Sequence, residues 1–249
     1  MNNTLIKILF LLVALCALPL QAQERKYITE TDDYIIWQPG VKLTFDMFKN
    51  TAPTEKALSD MRLDNKKHLS YRRFCGVLDV PKKKSWKKGH YAEKAYFAAK
   101  FSKFQSYMAE RDSFELQVAQ TEWDICELAT RKCRSLLDSI QIDHDSINGV
   151  HTTGVVSIYY YTVYVDGADL YYNFLSAFYN EVVKPHDSER LKEFREFINA
   201  LLEETAYYAT TPEEAERFLF HVPVDENLMQ AKQTVGDMKQ RGRNLKSGG

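Results

Sequence analysis

The sequence predicts an α+β fold, mostly helical, with long core helices packed on a small sheet. Three observations carry this. The stretch 114-FELQVAQTEWDICELATRKCR-134 repeats apolar residues at steps of three and four, the period of one helical face. The runs 34-YIIW-37 and 69-LSYRRFCGVLDV-80 are short, rich in β-branched and aromatic residues, and bounded by proline. Helical stripes then recur after residue 168, and capping residues stand at Asp187 or Ser188 and at Thr211.

The elements follow in order. Lys7 precedes the apolar run 8-ILFLLVALCALPL-20, and small Ala22 follows, which reads as a secretory signal peptide over residues 1–22. The run is shorter than the roughly 20 residues a membrane span needs, so no transmembrane segment is expected after cleavage. Residues 23–225 are read as one α+β domain and 226–249 as a polar tail that should fray. Behind the first strand, Leu43, Phe45 and Phe48 are core anchors. Tyr91 to Met108 reads as a helix, with Ala95, Ala98, Ala99 and Phe101 on its apolar face.

A long helix should run from Asp112 or Ser113 to about Ile140, with the stripe Phe114, Val118, Thr121, Ile125, Ala129, Cys133, Leu136 and Ile140. Residues 141–154 read as a loop and possible sub-boundary, and 155-VVSIYYYTVYV-165 as a strand. Residues 168–183 read as a helix that Pro185 stops. Asp187 or Ser188 caps the next helix, and Thr211-Pro212-Glu213-Glu214 has the form of a capping box.

Composition excludes some partners. The formal net charge is -1, which leaves no electrostatic footprint for nucleic acid. Behind the signal peptide stand Cys75, Cys126 and Cys133, an odd number that does not make a disulfide framework. Cys126 and Cys133 lie ~10.5 Å apart on one helix, beyond the about 7 Å limit for a disulfide. Cys75 pairing with either, or three buried thiols, are both open at this point.

Three blocks occur in order: Trp37 with Leu43-Thr44-Phe45 and Phe48-Lys49; Lys84-Ser85-Trp86; and Trp123-Asp124-Ile125, Glu127-Leu128-Ala129, Arg131-Lys132 and Arg134. Over residues 34–137 the chain resembles an exported bacterial domain-of-unknown-function family predicted to be zinc-dependent proteases. In that family a helix carries H-E-x-x-H just before the aromatic-Asp-Ile block. The chemistry needs two histidines on one helical face to hold Zn²⁺ and a glutamate to activate water. In the register of Trp123, the resemblance places the two ligands at Val118 and Glu122 and the base at Ala119. Valine and alanine offer no lone pair, so this is a zincin-like helix without metal ligands. The lysine-bearing helix expected between Trp86 and Val118 looks inserted, and the family's downstream ligand motif has no counterpart after residue 140.

Other candidates are weaker. Glu122 borders the apolar stripe, as a solvated helix-edge residue or as a repurposed group paired with Lys or Arg. Glu127 and Arg131 form an i,i+4 pair worth a few tenths of a kcal/mol. Asp143, His144, Asp145 and His151 are candidate metal ligands. However, Ile147 stands where a calcium loop wants oxygen, and a polar turn on Asn148-Gly149 is the default. The run 82-KKKSWKKG-89 could meet anionic envelope polymer through charge and stacking, or be a solvated loop around Trp86. Tyrosines at 159–161, 171–172 and 207–208 fit a sugar-binding face or core packing.

These residues imply an exported, non-catalytic, pseudo-peptidase-like binding or scaffold protein of the cell envelope, whose partners are envelope proteins or anionic polymer. Two other readings stay open: a hydrolase with a rearranged active site, and an envelope module that binds polymer through Lys82–Lys88. No catalytic residue and no cofactor is assigned.

Overall fold

The computed structural model describes residues 25–51, 67–82, 93–148 and 155–232. The expected signal peptide and the block Lys84-Ser85-Trp86 lie outside these residues, as does the lysine run beyond Lys82. Four helices pack with a small antiparallel sheet.

The sheet is built from β1 (Tyr34–Ile36), β3 (Arg72–Pro81), β4 (Lys94–Ser102) and β6 (Leu228–Gln230), in the order β1-β4-β3-β6. A two-stranded sheet joins β2 (His68–Leu69) to β5 (Tyr107–Met108). The helices are α1 (Ser113–Asn148), α2 (Val155–Phe178), α3 (Ser188–Glu204) and α4 (Pro212–Phe220). Alternation along β4 splits the core in two. Ala99 and Phe101 face α1, and Phe97 faces Tyr160 and Val163 of α2. On the opposite face, Tyr96 and Ala98 meet Ala215 and Phe218 of α4.

α1 crosses the middle of the molecule, and every residue from Val118 to Arg131 is buried. Phe114, Val118, Thr121, Ile125, Ala129 and Cys133 of the expected stripe are all buried. The start signals behave as read from sequence. Asp187 caps α3 through the amides of Glu189 and Arg190, and Thr211 and Glu214 close the capping box of α4.

Four expectations are corrected. Residues 94–102 form strand β4, not a helix. This strand lies between β1 and β3 with both faces covered, so it lacks the polar-apolar alternation that marks a half-exposed strand. Its small Ala98 and Ala99 let helices close on both faces, and they also imitate a helical stripe. Residues 155–165 open helix α2, not a strand; Tyr160, Val163, Tyr164, Gly167 and Tyr171 fall at helical spacing toward α1 and the sheet. Burial against that surface overrides the β preference of valine and tyrosine. Residues 141–148 of the expected loop continue α1, which runs on through Asn148, and residues 149–154 lie outside the described residues. Finally, the tail is ordered past Asp225: Leu228–Gln230 pairs with Asp79–Pro81, and buried Leu228 anchors it.

Candidate functional site

Val118 and Ala119, where the resemblance puts a ligand and the general base, are fully buried among core side chains. Glu122, at the second ligand position, is also buried, at 5 % exposure. It is no solvated edge residue. Arg72 donates to its Oε2 at 2.8 Å, and His68 Nε2 stands 3.5 Å from the same oxygen. The other ring nitrogen of His68 meets Glu115 Oε2 at 2.5 Å. Lys67 and His186 each approach Glu115 Oε1 to 3.9 Å.

The local folding explains this cluster. Glu115 and Glu122 lie seven residues apart, two helical turns, and so share one face of α1. His68 is held opposite by the short β2-β5 ladder, where it pairs with Met108. Arg72 opens β3 on the sheet face turned toward α1, and its guanidinium lies 5.9 Å from the Tyr171 ring centroid. Burial by itself would lower the His68 pKa. The hydrogen bonds and charges of Glu115 and Glu122 outweigh that and hold it at about 9. His68 is therefore a cation at neutral pH, and with Arg72 it balances two carboxylates inside the protein. The arrangement ties α1 to β2 through Glu115 and His68 and to β3 through Glu122 and Arg72.

The remaining block residues make a second set of interior ties. Trp37 Nε1 donates to Asp124 Oδ1 at 2.7 Å, Gln120 donates to the same oxygen at 2.9 Å, and the Leu43 amide donates to Gln120 Oε1 at 2.8 Å. The Arg131 guanidinium sits 5.0 Å from the Trp37 ring centroid. Its Nε donates to Glu127 at 3.1 Å, while the amide and hydroxyl of Thr210 donate to both Glu127 oxygens. Burial raises the carboxyl pKa of Glu127, opposed by Arg134 and Arg131, and burial likewise raises that of Asp124, opposed by Trp37 and Gln120. The Glu127–Arg131 pair is thus an interior ion pair, not the weak surface pair its spacing suggests. Two blocks that are far apart in sequence are one contact in space.

Among the described residues no group of three or more His, Cys, Asp or Glu side chains could hold a metal ion. Asp143, His144 and Asp145 fall on the last turns of α1, while Gly149 of the expected turn and His151 lie outside the described residues. Cys75, Cys126 and Cys133 are all free. Burial raises the thiol pKa of each, that of Cys133 to about 12, so none is a poised nucleophile. Tyr160 and Tyr171 are core residues, whereas Tyr172 and Tyr207 are exposed. Among the described residues no helix is long and apolar enough to cross a membrane.

An opening of about 580 Å³ lies beside β3 and is lined by Arg73, Cys75, Lys100, Tyr161 and Tyr172, among others; none of residues 118–122 reaches it. His68, Arg72, Glu115 and this groove were missed in the sequence. A charged Arg72-Arg73 pair inside an otherwise apolar strand run was the available signal for Arg72, while His68 carried none. No family model matches the chain, and no curated protein or solved structure matches it either.

Proposed function

We propose that this protein is an exported, non-catalytic binding or scaffold protein of the cell envelope, a relative of zinc-peptidase-like proteins that keeps their central helix as a structural frame. The observation that carries this reading is the fate of residues 118, 119 and 122. Two are fully buried in the apolar core and the third is held by Arg72 and His68, and none of the three lines the openings found among the described residues. A catalytic zinc site uses about three protein ligands and leaves one position open to substrate. The supports for export and for kinship are the apolar leader and the shared Trp-Asp-Ile block.

The test is a broad panel of peptide and ester substrates, incubated with the purified protein and with Glu122→Ala. The expected result is no turnover above the blank from either. Turnover that tracks the wild-type protein and disappears with a single change on α1 would sink this reading in favour of a rearranged hydrolase.

A further inference from the structure

β3 is a central strand along only part of its length. β4 pairs with it from Arg72 to Asp79, but β6 covers its other side only at Asp79–Pro81. The last bond on that side runs from the Ala231 amide to Leu78 O at 2.8 Å. Leu78 and Lys82 turn their hydrogen-bonding groups toward the β6 side. By the two-residue period of an antiparallel ladder, Gly76 and Phe74 turn theirs the same way. No described residue bonds to them there.

Natural sheets blunt such edges with proline, bulges, charge or a covering segment. Here the edge instead floors the groove of about 580 Å³. One wall is α2, with Tyr161, Tyr164 and Tyr172; the other is Phe218 and His221 at the end of α4. Space therefore exists on both faces of a strand added at this edge. Gly76 makes the close wall possible, since a Cβ there would stand 2.4 Å from the Tyr160 hydroxyl. Among the described residues the lining holds Arg72, Arg73, Lys100 and His221 and no carboxylate. Arg72 is already bonded to Glu122. Arg73 and Lys100 are cross-strand partners on the face opposite α2, and they engage only the rings of Tyr71 and Tyr34 among the described residues.

An open ladder, an aromatic wall and a one-signed field together fit one kind of occupant. We propose that an extended, acidic peptide segment of a partner protein adds as a strand beside β3. Its backbone bonds to Phe74 and Gly76, its carboxylates turn toward Arg73 and Lys100, and its apolar side chains turn toward the tyrosines of α2. Main-chain bonds give affinity and the alternating pockets give selectivity. The proposal rests on the reading of the protein as a binder and names the class of its partner.

The test pans random octapeptides displayed on phage against the full chain. Enriched sequences should carry Asp or Glu at alternate positions. A synthetic copy should slow amide exchange at Phe74 and Gly76. It should lose about tenfold or more in affinity toward Arg73→Glu/Lys100→Glu, a double variant of the groove surface whose melting curve confirms folding. N-methylation of alternate peptide amides should abolish binding. No enrichment, or peptides that bind the double variant equally well, overturns the proposal. Binding of polygalacturonate that is lost in the double variant, with no peptide enriched, gives the groove to an anionic glycan and also overturns it. Either failure leaves the non-catalytic reading standing, whereas turnover in the substrate panel would sink that reading without touching the peptide result.

Discussion

Glu122 gives the sharpest test of how a buried carboxylate is held on α1. It shares the interior with Arg72, so removing one partner strands a buried charge. Glu122→Ala should cost about 3–5 kcal/mol of folding stability. In urea unfolding, Arg72→Met on that background should recover part of the loss; strictly additive losses would mean that the two side chains do not interact. His68 adds a pH signature. Its folded pKa of about 9 stands above the ordinary 6.5, so folding favours the protonated ring. The stabilisation is whole below pH 6.5 and falls away as pH rises through 9. The stability gap between wild type and His68→Asn should therefore narrow across that window. A gap that widens with rising pH would contradict the pairing. Little of this was legible in advance. Glu122 beside an apolar stripe left its partner open between Lys and Arg, and a lone histidine ahead of a strand carries no spacing to read.

At the scale of the element, the strongest periodic pattern was legible and the sheet context was not. α1 shows itself because its stripe, which includes Ile125 and Ala129, is long and keeps to steps of three and four. The capped starts of α3 and α4 were legible for a local reason, since a cap bonds to amides two or three residues away. β4 and α2 were misread for a non-local one. β4 is covered on both faces, and α2 is held by contacts with α1 and the sheet that no local propensity records. Those contacts predict a cost at Gly167, where a Cβ would stand 2.3 Å from Cys133 Sγ and 3.2 Å from the Ala129 carbonyl oxygen. Gly167→Val should destabilise by about 1–3 kcal/mol through overpacking. Its small gain in helix propensity is only a few tenths of a kcal/mol. Combining it with Cys133→Ala should reduce the cost, as read from thermal melts. An unchanged cost would mean that α2 does not cross α1 at this glycine.

Across the whole molecule, buried charge pairs join parts that the apolar core alone would leave free to slide. Arg217 of α4 bonds in bidentate fashion to Asp79 on β3, both fully buried, and also reaches Gln230 on β6. Asp79→Ala should cost about 3–5 kcal/mol. It should also raise amide exchange in α4 and β6 before it does so in α1; uniform exchange across the chain would contradict that division. Along α1, Glu115 and Glu122 share His68, Glu122 also takes Arg72 of β3, Asp124 takes Trp37 and Glu127 takes Thr210, so the helix works as an axle for the fold. That role gives the Trp-Asp-Ile block a structural use that needs no metal at Val118, Ala119 or Glu122. The most direct test is elemental analysis of the purified full chain beside Glu122→Ala. The account predicts zinc far below stoichiometry in both proteins, with the variant losing stability and not metal. Stoichiometric zinc in the wild type that is lost from Glu122→Ala would contradict it.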